Sequence, residues 1–258
     1  MPYGDAELTA SNVGRLQREH TREAIARRLS AATSHSYVGD FILGAVDGAV
    51  TTFAIVAGAA GAGLSNGIAL ILGLANVLAD GLSMAAGNFL RARANQDLLA
   101  KFRRIEAAHI EDIPDGEREE VRQIYRAKGF EGEVLEQIVK VITNDRRLWI
   151  DTMLTDEWGL QLQPASPWRA GVATFAAFVL AGMIPLLPAL FSVGRHADET
   201  FVLSSMLTGA TFVLIGLLRG WLVEGRPLYA AVETLLVGGL AASTAYFIGK
   251  LLQSLAVS

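Results

Sequence analysis

The chain has 258 residues, of which 52% are hydrophobic, with 26 glycines, no cysteine and a formal net charge of −4. A mean hydropathy of +0.36 is too high for a soluble domain of this size, so the composition reads as an all-α integral membrane protein. The lack of cysteine excludes disulfides, iron–sulfur ligation and thiolate zinc sites, and no basic aromatic patch points to nucleic acid.

In chain order, residues 1–39 form a polar N-terminal segment in which Leu8 to Leu29 is expected to be an amphipathic helix at the membrane interface or against the insert described below. It has no signal-peptide pattern, because the first apolar run is too long and lacks a small-residue cleavage site after it. Residues 40–90 hold the first two membrane helices, Phe41 to Leu64 and Ile68 to Leu90. Residues 91–168 turn charged and amphipathic, and residues 169–258 hold three further spans, Ala170 to Phe191, Phe201 to Leu218 and Leu228 to Leu252.

No Pro or Gly interrupts Asn88 to Ile113, so the second span is expected to run straight out of the bilayer until Pro114-Asp115-Gly116 stops it. Two more helices, Glu117 to Lys128 and Glu133 to Trp158, complete a three-helix insert, with Gly129 and Gly159 as terminators. Basic residues favour the cytoplasm: Arg15, Arg18, Arg22, Arg27 and Arg28 precede span one, Arg91, Arg93, Lys101, Arg103 and Arg104 follow span two, and Arg219 and Arg226 separate spans four and five. The opposite side has little beyond Arg195 and Lys250, which places the N-terminus and the insert in the cytoplasm.

Two acids stand inside the first two spans. Asp47 lies in span one, and Asp80 in span two follows Asn76 and precedes Met84 at helical spacings of four, so these three share one face. A carboxylate at membrane depth costs about 2.5–3.5 kcal/mol on insertion scales and marks an ion or proton pathway by default. The plainer alternatives are a neutral, hydrogen-bonded Asp47, an Asn76 that holds helices together and a Met84 that fills space. Gly44 and Gly48, with Gly58 and Gly61 further along, form a small-residue pattern through which two copies would pack about a twofold axis.

In the insert, Glu106 and His109 are three apart, as are Glu117 and Glu120, and the Pro-Asp-Gly turn can fold one pair onto the other. Met153 and Glu157 sit one turn apart on the last helix. Carboxylates with one imidazole suit Fe2+, Mn2+ or Zn2+, while an all-oxygen set would suit calcium; the plain alternative is a solvated acidic face.

Asp40-Phe-Ile-Leu-Gly-Ala-Val-Asp-Gly48 and Gly73-Leu-Ala-Asn-Val-Leu-Ala-Asp-Gly-Leu-Ser-Met84 resemble the vacuolar iron transporter family, as a bacterial-type variant. So do Gly182-Met-Ile-Pro-Leu-Leu-Pro188 in span three and Gly238 to Gly249 in span five. The resemblance implies a five-span homodimer that exports Fe2+, often also Mn2+, from the cytoplasm in exchange for protons. It implies a translocation path through Asp40, Asp47 and Met84; the family's second-span glutamate falls on Asn76, and Asp80 is taken as that carboxylate moved by one turn. It also implies metal binding by the insert through Glu106, His109, Glu117 and Glu120, with Met153 and Glu157 from the last helix, one family glutamate having become histidine.

The expected function is therefore a divalent-metal transporter, with Fe2+, Mn2+, Zn2+ and Co2+ as candidate cargo, protons as the counter-ion and no catalytic cofactor. Its membrane would be the inner membrane in a bacterium or a vacuolar-type membrane in a eukaryote. The rivals are a metal-sensing membrane scaffold and an intramembrane aspartyl enzyme built on Asp47 and Asp80. All four histidines, His20, His35, His109 and His196, fall outside the spans, which removes the usual base for a hydrolase.

Overall fold

The computed structural model describes residues 10–31, 36–191 and 197–256. Leu8, His35, Arg195 and His196 lie outside them. The helices in order are α1 (Ala10–Glu19), α2 (Arg22–Ala31), α3 (Val38–Gly61), α4 (Asn66–Asp112), α5 (Pro114–Ala127), α6 (Gly132–Asn144), α7 (Arg146–Asp156), α8 (Pro167–Gly182), α9 (Leu187–Leu190), α10 (Ala197–Arg219) and α11 (Pro227–Ala256). Among the described residues, five helical stretches are long and apolar enough to cross a bilayer: α3, α4, the stretch Pro167–Leu190, α10 and α11. This is a multi-pass, all-helical membrane protein.

The chain divides into two compact units, Met1–Ser36 with Glu120–Pro164, and Tyr37–Glu119 with Ala165–Ser258. In the larger unit α3 is central and packs against α8, α11, α4 and α10. Its core is built from small and aromatic side chains, with Ala45, Ala49, Phe53 and Ala57 of α3 meeting Val77, Ala177, Ala181 and Phe212. Phe53 stacks on Phe201 with ring centroids 6.4 Å apart, and Phe201 stacks on Tyr246 at 5.9 Å. Leu78, Leu82, Leu214, Leu236 and Leu240 face outward, as expected for helices whose outer solvent is hydrocarbon.

The glycines of span one are spent inside the chain, and this corrects the expectation that they join two copies. A Cβ at Gly44 would overlap the Thr174 carbonyl, and one at Gly48 would overlap the Phe178 carbonyl, so both let α8 lie directly against α3. Gly61 does the same for α11, where Tyr246 offers its backbone.

Helix α4 runs unbroken for 47 residues, roughly 70 Å at 1.5 Å per residue, from its Ser65 cap to Asp112. Pro114 ends α4 as expected, but it also opens α5 three residues before the expected start at Glu117, so Asp115 and Gly116 lie in the first turn of that helix and not in a separate turn. Span three departs from a simple helix. It stops at Gly182, passes through a 3₁₀ turn at Ile184–Leu186 and restarts as α9, because Pro185 and Pro188 each lack the N–H that a continuous helix needs. The buried Ser204 hydroxyl donates to the Pro185 carbonyl at 2.6 Å at this break.

In the smaller unit the expected long third helix of the insert is two helices. Asp145 adopts an extended conformation between α6 and α7, and its carboxylate accepts the backbone N–H groups of Arg147 and Leu148 at 2.9 and 3.1 Å. The N-terminal segment is likewise two short helices, α1 and α2, in place of one. Val121, Leu135, Val139, Ile142, Met153 and Leu154 are buried. Arg122 forks onto both carboxylate oxygens of Glu136 at 2.7 and 3.0 Å.

Candidate metal pathway and insert site

Helical geometry decides what α4 shows to its neighbours. Gly73, Val77, Gly81 and Asn88 are buried in one stripe, while Leu72, Leu78 and Leu82 are exposed. Asn76, Asp80 and Met84 each precede a position of the buried stripe or flank it, so they lie along its edge, and all three are partly buried. Asp47, on α3, is also partly buried, and its carboxylate is near enough to Asp80 for the two charges to interact. The structure thus brings together the two intramembrane acids that the sequence marks. The Asn76 side-chain nitrogen is buried with no hydrogen-bond partner among the described residues, which leaves a polar group without its ordinary compensation one turn from Asp80.

Asp40 has a different setting. It is buried in the first turn of α3, and its Oδ1 accepts from Asn88 Nδ2 at 2.9 Å and from an Arg91 terminal nitrogen at 3.1 Å. Asn88 is itself held by the Ala170 carbonyl at 3.2 Å and the Thr174 hydroxyl at 2.7 Å. Sequence reasoning placed Asp40 on the path and missed both partners. The available signal was an amide in an apolar run with a basic residue one turn later.

Three of the six insert residues meet. Glu106 and His109 come from the last turns of α4 and Glu117 from the first turn of α5, and one ligand atom of each lies within 4.8 Å of the others. The tight link between α4 and α5 makes this possible, with Ile113 N–H closing on the His109 carbonyl at 2.8 Å. Both carboxylates are only 1% exposed, whereas the imidazole is half exposed and its Nδ1 lies 3.2 Å from Glu117 Oε1. Two carboxylates and an imidazole converging this closely make a donor set that fits a divalent metal ion. Glu120, Met153 and Glu157 belong to the other unit: Met153 is fully buried, and Glu120 and Glu157 are exposed.

Five membrane-length helices among the described residues, an acid on each of two of them and a carboxylate–imidazole cluster at the junction of α4 and α5 that could hold a metal ion define a polytopic membrane protein. The chain belongs to the VIT family, whose model matches residues 38–250. It is 33% identical to the vacuolar iron transporter of Toxoplasma gondii over 229 residues, covering 86% of this chain and 76% of the relative. It is also 33% identical to vacuolar iron transporter 1 of Arabidopsis thaliana, over 86% of this chain and 88% of the relative, and to that of Eucalyptus grandis, over 86% and 89%.

Proposed function

We propose that the chain is a transporter that moves ferrous iron, and with it Mn2+, out of the cytoplasm in exchange for protons. The observation that carries this reading is the placement of Asp47 and Asp80 on adjacent helices within reach of each other's charge, in spans of a protein whose relatives are named iron transporters. In hydrocarbon two such carboxylates demand a cation. Asp47, Asp80, Asn76 and Met84 offer oxygen and thioether donors along one path, a borderline set suited to first-row divalent ions.

Glu106, His109 and Glu117 gather the ion on the insert side. When the metal leaves the membrane site, the uncompensated charge on Asp47 and Asp80 is balanced most simply by protons. Asp80 lies at the edge of the buried stripe of α4 and Asp47 on α3 is only partly buried, so a second copy of the chain, or water, must cover them; a homodimer does this by closing the path between its two α4 helices. Trp168 and Tyr229, in the first turns of α8 and α11, and Trp221, two residues past α10, are all strongly exposed and adjoin Arg91, Arg219 and Arg226 in the order of spans, which supports a cytoplasmic interface there.

The test is metal flux into proteoliposomes under anaerobic conditions, run with Fe2+, Mn2+, Zn2+ and Co2+ and with a pH dye inside. Fe2+ uptake coupled to proton release, lost in Asp47→Asn, is expected. Metal bound without flux would make the chain a sensing scaffold, and near-normal flux in Asp47→Asn would remove the acid from the path.

A further inference from the structure

We propose that Arg91 is a tethered counter-ion that holds the metal's place on Asp40 and Asn88, and that cargo displaces it on its way into the membrane. The proposal rests on the transport reading above and adds a specificity-determining residue to it.

The argument starts from which atoms Arg91 occupies. Its guanidinium donates to Asp40 Oδ1 at 3.1 Å and, through two nitrogens, to Asn88 Oδ1 at 3.0 and 2.7 Å. Those two oxygens sit at the junction of α3, α4 and α8, where the Asn88 amide nitrogen is held by the Thr174 hydroxyl at 2.7 Å. A hard or borderline divalent ion takes such oxygens. Arg91 is therefore bound where a metal would be bound, by the same acceptors.

The two partners differ sharply in freedom. The Asp40 side chain is 7% exposed and that of Arg91 is 56% exposed. Asp40 and Asn88 are fixed: Thr174 also reaches the Asp40 backbone carbonyl at 3.4 Å, and Ala170 holds the Asn88 amide. A buried carboxylate requires a positive charge beside it. An arginine more than half in solvent can supply that charge and return to water when a divalent cation takes over the charge on Asp40. A fixed anion beside a solvent-accessible cation is the arrangement of an exchangeable site.

The position along the path agrees. Asp40 and Asp47 are seven residues apart on α3, two turns and about 10 Å along the axis, on the same face. Arg91 lies seven residues beyond Met84 on α4, again two turns, toward the end of α4 that leads to Glu106. An ion coming from the insert meets Arg91 and Asp40 before it meets Asp47 and Asp80.

The experiment is Fe2+ flux by the full chain in proteoliposomes, started from the insert side, with KM and maximal rate measured separately. Arg91→Met should lower KM about fivefold, because a competing cation is removed. Adding Asp40→Asn to that variant should abolish the gain. Arg91→Lys keeps the charge but loses the planar fork, so its KM should fall about twofold, and this variant carries the test if the methionine form does not fold. An unchanged or raised KM in whichever of these variants folds, whatever happens to the maximal rate, would make Arg91 a structural brace and overturn the proposal alone. Absence of flux in the wild type would overturn the transport reading and this proposal with it.

Discussion

His109 Nδ1 lies 3.2 Å from Glu117 Oε1, across the turn that joins α4 to α5. The pair joins the only imidazole nitrogen of a three-residue cluster to a buried carboxylate, and a nitrogen donor in that place shifts preference along the divalent series toward Zn2+ and away from Mn2+. We expect His109→Glu, in an Asp47→Asn background that silences the membrane site, to lower the ratio of Zn2+ to Mn2+ affinity by about tenfold. Competition binding to the purified full chain measures it. A ratio that does not move would mean that His109 only hydrogen-bonds Glu117.

Gly48 makes the second prediction. A Cβ there would strike the Phe178 backbone carbonyl, and no rotamer change relieves a clash with backbone. Gly48→Ala should therefore destabilise the folded chain by about 1–3 kcal/mol, the usual cost of overpacking, and lower its unfolding temperature in detergent. If the variant unfolded normally and changed only its oligomeric state, the contact would lie between copies and the assignment of Gly48 to the α3–α8 contact would be wrong.

What could be read from the residues, and what could not, divides along physical lines. The continuous α4 was legible because 26 residues from Asn88 to Ile113 hold neither Pro nor Gly, and Pro114 ends it. The break at Asp145 was not predicted, although Asn144-Asp145 is a capping pair, because the apolar periodicity continues on both sides and masks one extended residue. The break in span three is masked in the hydropathy, because Pro185 and Pro188 both sit inside an unbroken apolar run. Pairing of Asp47 with Asp80 follows from two short-linked helices. The cage around Asp40 does not, since Asn88, Thr174 and Ala170 converge from two other helices and only tertiary packing brings them there.

Glu136 supplies a pH prediction in the smaller unit. The Arg122 fork holds its carboxyl below the ordinary value of 4.5, chiefly through the hydrogen bond and then through the guanidinium charge. A carboxyl depressed in the folded state stabilises above the unfolded value, and that contribution is lost as pH falls through the lower, folded value. Melts of wild type and Glu136→Gln should thus differ at neutral pH and converge as the solution is taken below 4.5. A gap that widened on acidification would mean that Glu136 acts through something other than its charge. The effect will be small, because the pair is exposed.

The sharpest prediction concerns Asp80. If it does the work of a second-span carboxylate that the family keeps at position 76, Asp80→Ala should cut Fe2+ flux by about a hundredfold, the scale of losing one member of a buried ionic pair. Insert binding should be untouched, because Glu106, His109 and Glu117 form a separate cluster further along α4 and into α5. Positions 76 and 80 are one turn apart on one face, so Asn76→Glu with Asp80→Gly moves the carboxylate about 6 Å along the axis without turning it away from α3. The longer side chain covers part of that distance, and Asn76 already has a buried, unpartnered polar group in the place the new acid would take. The double variant should therefore recover part of the lost flux, measured in the same proteoliposomes. Normal transport by Asp80→Ala would instead make Asp80 a structural group, and the ion would then have to pass Asp47 and Met84 without it.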